Sequence, residues 1–190
     1  MHKIVFDIET TTGFVDGVFD PSKLELSVVG IYDSETDRYE SFLQEELPKL
    51  WPIIENADML IGYNSEHFDI PILNRYYPGD LSRIKSLDLL KEVRNVLGRR
   101  LRLDSLAEAT LGKNKTGNGL KAVRWWQNGE VDKVRAYCLE DVKITKELYD
   151  YARANGNLKY KDLGKIHEIK LDTSAWEKKE ASGLTYSLPF

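Results

Sequence analysis

Lys3-Ile4-Val5-Phe6-Asp7-Ile8-Glu9 is the stretch on which the reading of the fold turns. Its β-branched and aromatic residues predict an opening strand. Successive side chains of a strand point to opposite faces, so Asp7 and Glu9, two apart, share one face. Their Cα atoms should lie roughly 6.6 Å apart, close enough for both carboxylates to ligate one metal ion or a pair of ions. Two carboxylates in an otherwise apolar strand are costly, because buried like charges need a compensating cation. Taken alone, the pair is better read as a strand with one polar face.

Outward from this strand, Thr10-Thr11-Thr12-Gly13 marks its end. Residues 24–32 and 38–43 read as the next two strands, joined by the polar hairpin loop Asp33-Ser34-Glu35-Thr36-Asp37. Residues 45–56 predict a helix with Pro48 in its first turn, where proline is tolerated. Met59-Leu60-Ile61-Gly62 reads as a short buried strand, residues 70–76 as a short helix, and residues 84–87 as a further strand. From Asp88 onward the pattern is mostly helical. Ser105-Leu106-Ala107-Glu108 has the spacing of a capping box, with Gly112 closing that helix. Lys113-Asn114-Lys115-Thr116-Gly117-Asn118-Gly119 is a polar, glycine-bearing loop, expected to be mobile. The longest periodic stretch covers residues 130–154, with Gly156 as its stop signal. Residues 165–171 alternate as a strand would, and residues 184–190 read as an extended tail. Strands first and helices later, around one mixed sheet, indicate an α/β domain.

Composition bounds what such a domain can be. A chain of 190 residues is long enough for one sizeable core and too short for two ordinary domains. Hydrophobic residues at 42% and charged residues at 31% describe a globular protein rather than a disordered or membrane one. No apolar run approaches the ~20 residues that span a bilayer, and Asp7 breaks the opening apolar stretch too early for a signal peptide. The single cysteine, Cys138, excludes an internal disulfide framework and suits a reducing cytoplasm. No Cys/His cluster of the structural-zinc kind is present. Net charge is −4, yet residues 91–124 hold nine basic and three acidic residues, so that segment carries +6 and the remainder −10. A basic strip of this kind can receive phosphates, and a solvated helix face explains it equally well.

Three further residues draw attention. Asp69 follows the second buried strand, where an aspartate is also the commonest helix N-cap. Tyr137 and Asp141 lie four apart on the long helix, hence on one face. They border its apolar stripe of Val134, Cys138, Val142, Thr145, Leu148 and Tyr149. Each element alone is weak, whereas their order is specific. The sequence resembles the DEDD exonuclease superfamily, whose ribonuclease H-like fold carries three ordered motifs. Asp-x-Glu on the opening strand matches Phe6-Asp7-Ile8-Glu9-Thr10, Asn-x-x-x-Phe-Asp matches Asn64 to Asp69, and Tyr-x-x-x-Asp on a late helix matches Tyr137 to Asp141. The histidine subtype would need its histidine five residues before the last aspartate, where Ala136 stands, so the resemblance is to the tyrosine subtype. Ile61-Gly62-Tyr63-Asn64 with Phe68-Asp69-Ile70-Pro71 is similar to the proofreading exonuclease domain of family B DNA polymerases. Leu103-Asp104-Ser105-Leu106-Ala107, then Leu111-Gly112 and Tyr137-Cys138 with Asp141-Val142, are similar to stand-alone relatives of that domain. The resemblance covers residues 3–153.

It implies a central mixed five-stranded sheet flanked by helices, with residues 1–155 as the exonuclease domain; residues 156–190, which the resemblance does not cover, are expected as a C-terminal extension packed on the same domain. It implies hydrolysis of single-stranded nucleic acid from the 3′ end, DNA before RNA, with release of nucleoside 5′-monophosphates. Asp7, Glu9, Asp69 and Asp141 would hold two ions. An oxygen-only set favours Mg²⁺ or Mn²⁺ over zinc. One ion would activate the attacking water and the other would stabilise the departing 3′-oxyanion. Tyr137 would orient that water, being a poor base at an ordinary pKa of about 10. Asn64 and Phe68 would meet the terminal nucleotides, Phe68 by stacking, and Thr10 the terminal sugar. Lys113, Lys115 and Lys121 are candidate phosphate contacts, with ordinary solubilising lysines as the alternative.

Other residues read as structural. His67 is inside the second motif without being a motif position, and His2 and His167 have no partner in sequence. Of Trp125 and Trp126, which could stack on bases, at least one is expected in the core. Cys138 reads as packing on the apolar stripe rather than as a nucleophile. The ending Ser187-Leu188-Pro189-Phe190 is similar to short apolar peptides that dock on partner proteins. Two rivals stay open: an exoribonuclease of the same chemistry, and a non-catalytic nucleic-acid-binding module, whose signature would be a lost carboxylate. An endonuclease of the same fold would need a groove open at both ends.

Overall fold

The computed structural model of the protein describes residues 1–12, 23–113 and 119–178. Gly13, most of the glycine-bearing loop with Lys115, and the tail at 184–190 with its docking peptide lie outside the described residues. Five strands form one mixed sheet in the order β3-β2-β1-β4-β5, built from β1 (Lys3–Thr10), β2 (Leu26–Asp33), β3 (Arg38–Leu43), β4 (Met59–Gly62) and β5 (Ser86–Asp88). β2 runs antiparallel to β1 and to β3, while β4 and β5 run parallel to β1. The fold is α/β, as the sequence pattern predicts.

The alternation of β1 sorts the two faces. Ile4, Phe6 and Ile8 point into a core with α1 (Leu47–Glu55) and α2 (Asp69–Leu73), through Leu50, Trp51, Ile54, Ile72 and Leu73. Val5 points the other way, into a core shared with α3 (Leu89–Leu97), α4 (Leu103–Leu111) and α6 (Val131–Asn155). Asp7 and Glu9 have the parity of Val5, so they face α6. The described part of α5 (Gly119–Gln127) lies beside α6, with Ala122, Trp125 and Trp126 packed around Val134 and Tyr137. No helix among the described residues is long and apolar enough to cross a membrane.

How near α6 comes to the sheet is set at Gly30, which pairs with Asp7 across β1 and β2. A Cβ there would lie 3.0 Å from the Cys138 sulfur, 3.1 Å from Val142 and 3.3 Å from Leu139. The missing side chain lets the helix sit directly over the strand pair. Gly62 plays a similar part after β4, where a Cβ would meet Ser65 at 2.4 Å, closer than any side chain tolerates. The chain can therefore turn sharply after β4, with Asn64 at a φ of +66°.

Element boundaries differ from the sequence reading in places. The helix after β3 begins at Leu47, following a single 3₁₀ turn at Gln44–Glu46. α4 begins at Leu103, so Ser105 lies inside the helix and is not its cap; Arg102 precedes it in extended conformation without a side-chain cap. Burial of Leu103 draws the helix start ahead of the serine. Gly112 and Gly156 do stop α4 and α6, both at a φ of 68°. The strand read at 165–171 is β7 (Lys165–Lys170), and its partner β6 (Asn157–Asp162) completes a separate two-stranded hairpin. Leu158, Ile169, Leu171 and Trp176 belong to the core beneath α6.

Candidate active site

β1 and α6 cross so that the far end of the strand meets the first half of the helix. Oxygens of Asp7, Glu9 and Asp141 come within 4.8 Å of one another. Glu9 and Asp141 are only 8% and 6% exposed. Three carboxylates at such spacing in partly buried surroundings repel one another, and a divalent cation relieves that repulsion. The donor set is oxygen-only and hard, which fits Mg²⁺ or Mn²⁺ chemistry. The cluster can therefore hold a divalent metal.

Asp69 is placed differently. β4 pairs with β1 only as far as Val5, and beyond that point the Ile8 N–H donates to Asp69 Oδ1 at 3.1 Å. Asp69 opens α2 without capping it, since Phe68 occupies the N-cap position. Burial pushes the Asp69 carboxyl up to about 8, with the charge of Asp88 adding to the effect, the Ile8 N–H opposing it and Asp141 adding further. Asp69 thus senses the cluster electrostatically, while lying outside the set of three that converges most closely.

Tyr137 is buried rather than at the border of the stripe, with its ring edge-on to Trp125 at 6.0 Å between centroids. Its hydroxyl is held far above the ordinary tyrosine range, first by burial and then by the charges of Asp141, Glu9, Asp7 and Asp104. The phenol therefore stays protonated and can act as a donor, not a base. Cys138 is buried one residue on, its thiol 3.3 Å from the Asp7 carbonyl oxygen and 3.8 Å from Asp7 Oδ2. Burial pushes this thiol well up, and the charges of Asp7, Glu9 and Asp141 push it further. It remains a thiol under Asp7, not a nucleophile.

The loop between β4 and α2 is held by a residue that sequence reasoning passed over. Asp88 ends β5, caps α3 through the Leu90 and Lys91 N–H groups, and accepts from the Asn64 N–H at 2.8 Å and the Glu66 N–H at 3.2 Å. Its signal was an aspartate directly before a helix, the N-cap pattern; nothing in the sequence joins it to Asn64. Asp104 was missed as well: in the first turn of α4, its charge bears on both Tyr63 and Tyr137.

Of the expected substrate contacts, Asn64 is half-buried and accepts from Arg100 Nη2 at 2.6 Å. Phe68 packs partly against the α1–α2 core. The Thr10 hydroxyl donates to the Thr12 carbonyl at 2.8 Å. Lys113 pairs with Glu147 on α6 at 2.5 Å, and Lys121 is exposed on α5. Of the histidines, His2 bonds Asp33 at 2.8 Å and His167 stacks on Tyr160. Both tryptophans are partly buried against the α5–α6 core.

A mixed sheet with antiparallel strands on one side of β1, parallel strands on the other, and acidic residues where β1 meets the last helix is a ribonuclease H-like arrangement. A family model described as RNase_H_2, of the RNase_H superfamily, matches residues 4–153, and the chain belongs to this family. A comparison with curated proteins gives no match. Among solved structures the chain is similar in fold to the family B DNA polymerase of the hyperthermophilic archaeon Pyrobaculum calidifontis, with a TM-score of 0.62 and 19% identity. That similarity covers 80% of this chain and 24% of the polymerase, so the chain spans about a quarter of its length.

Proposed function

We propose that this protein is a metal-dependent 3′→5′ exonuclease of the tyrosine subtype, acting on single-stranded DNA and releasing nucleoside 5′-monophosphates. The observation that carries this reading is the meeting of Asp7, Glu9 and Asp141 within 4.8 Å, beside a buried Tyr137 whose hydroxyl lies in the field of all three. A non-catalytic binding module has no use for so costly a cluster.

Asp7, Glu9 and Asp141 would hold the divalent ions, with Asp69 completing the set. When bound, such ions supply positive charge to the scissile phosphate and lower the pKa of an attacking water. Tyr137, kept protonated by burial and its acidic neighbours, donates a hydrogen bond that orients the attacking water. Asn64 and Phe68, presented by the loop that Asp88 pins, position the terminal nucleotides, Phe68 through its ring face. Thr10, at the end of β1, is assigned to the terminal sugar. Lys121 is retained as a phosphate contact from α5, while Lys113 would first have to leave Glu147. We assign residues 1–155 to the exonuclease domain and the following hairpin to an extension packed on it, because Leu158 and Ile169 enter the same core as Val5. The single, buried Cys138 accords with a reducing compartment such as the cytoplasm.

The test is incubation of 5′-labelled single-stranded DNA, and matched RNA, with Mg²⁺, Mn²⁺ or EDTA, beside an Asp7→Ala control. A ladder shortening from the 3′ end, dependent on metal and absent in the control, is expected. RNA turnover far above that of DNA would transfer the assignment to an exoribonuclease. No degradation of either strand would overturn it.

A further inference from the structure

A groove of about 630 Å³ opens beside the Asn64 loop, between that loop and α3. Its walls carry three cations, Lys91 and Arg94 from α3 and Arg100 from the turn after it. Lys91 and Arg94 are three apart on the helix and so share a face. Two acidic residues also line the groove, and both are engaged. Asp88 is buried and spent on backbone N–H groups, and Glu66 pairs with Lys91 at 2.6 Å. Arg94 is exposed and its side chain makes no ion pair among the described residues, while Arg100 rests on the amide oxygen of Asn64, a neutral acceptor. Two guanidinium groups therefore face the groove with no carboxylate bound to them.

Between Lys91 and Lys113 the other cations of the basic segment are paired with carboxylates. Arg99 pairs with Asp162, Arg102 with Asp104, and Lys113 with Glu147. A larger hollow of about 760 Å³, near Met1 and Asp58, mixes Asp58 and Glu66 with Arg83 and Lys85 and has no such bias. Between Lys91 and Lys113, the guanidinium groups without a carboxylate thus lie beside Asn64, five residues before Asp69. Asp88 ties the groove floor to the site, since it lines the groove and its charge acts on Asp69.

We propose that this groove is the track for the sugar-phosphate backbone of the substrate strand upstream of the scissile phosphate, with Arg94 and Arg100 as phosphate ligands. Exchange of the Asn64 amide for a phosphate gives Arg100 a charged, bidentate partner and frees Asn64 for the terminal nucleotide. The placement of the strand's 3′ end rests on the nuclease reading above; the binding of the backbone does not.

The experiment is fluorescence anisotropy with a 5′-fluorescein dodecathymidylate over a range of KCl concentrations. It is run in EDTA on the Asp7→Asn background, so that binding is read without hydrolysis. Arg94→Gln with Arg100→Gln should weaken binding about 10-fold or more and lower the slope of log K against log salt by about two. Arg94→Gln alone, which breaks no described contact, should lower it by about one. Unchanged affinity, or a loss with unchanged salt slope, would overturn the groove as the track. If the wild type cuts neither DNA nor RNA while binding still depends on both arginines, the nuclease reading falls and the groove stands.

Discussion

The same strand and the same helix build two opposite electrostatic environments at their two ends. At one end, Asp7 and Glu9 of β1 meet Tyr137 and Asp141 of α6, and acid is set against acid. At the other, Lys3 of β1 meets Tyr149 and Arg153 of α6, and Glu177 enters between them. It accepts from Lys3 at 2.7 Å, Tyr149 at 2.5 Å and Arg153 at 2.9 Å. Lys3, Asp7 and Glu9 share one strand parity, and Tyr137, Asp141, Tyr149 and Arg153 recur at multiples of four along the helix. The architecture is common to both ends and the charge arrangement is not. Hydrogen bonds from Lys3 and Tyr149 hold the Glu177 carboxyl down at about 2, whereas burial lifts Asp69 to about 8. One end uses a carboxylate to fasten the chain after β7 to β1 and α6; the other gathers carboxylates whose mutual repulsion a cation would relieve.

The sharpest way to break this comparison is to remove charge at the acidic end. Asp7→Asn or Asp141→Asn should lower single-turnover hydrolysis of a labelled oligonucleotide by about 10²–10³-fold or more, with unchanged circular dichroism. Tyr137→Phe keeps the packing on Trp125 and removes only the donor, so a loss of about 10²-fold in kcat with little change in KM is expected. Gly30→Ala tests how the two elements are held together. The added methyl meets the Cys138 sulfur at 3.0 Å, and overpacking should cost about 1–3 kcal/mol in urea unfolding while lowering hydrolysis through displacement of Asp141.

Smaller effects of opposite sign should separate the two ends in stability. Asp69 has a folded pKa above its unfolded value, so the native state binds the extra proton and stability falls as pH rises through the window from 3.8 to about 8. In EDTA, Asp69→Asn should remove that loss and raise Tm near pH 8 by about 2–4 °C, equivalent to about 1 kcal/mol. Glu177 has a folded pKa below its unfolded value. Its contribution is complete above 4.5 and is lost as pH falls toward about 2. Glu177→Gln should therefore cost about 1 kcal/mol at neutral pH, after allowance for partial exposure, and nearly nothing at pH 2, measured by thermal unfolding. A rise in Tm on Glu177→Gln, or a fall on Asp69→Asn in EDTA, would break the comparison.

Much of this arrangement could be read before any coordinates. The parity of Asp7 and Glu9, the four-residue spacing of Tyr137 and Asp141, and the stops at Gly112 and Gly156 are consequences of strand and helix periodicity, which local sequence states directly. Misreadings arose where a distant contact overrode a local signal. Ser105 has the spacing of a capping box, and burial of Leu103 draws the helix start ahead of it. β6 went unread because Leu158 is its only fully buried residue; pairing with β7 makes it a strand. Asp88 and Asp104 looked like ordinary helix-start aspartates, and their influence on Asn64, Asp69 and Tyr137 exists only across elements far apart in the chain.

The sequence by itself determined which residues share a face and what chemistry their functional groups can perform, because backbone geometry and functional-group identity are local and covalent. Tertiary structure alone decided that α6 lies close enough over Gly30 for Asp141 to join Asp7 and Glu9. It also decided that Asp69 serves the Ile8 N–H and that Arg94 and Arg100 flank Asn64. Distances between elements follow from packing, and the pKa of a carboxyl follows from the charges and solvent around it, neither of which is written in any short stretch of chain.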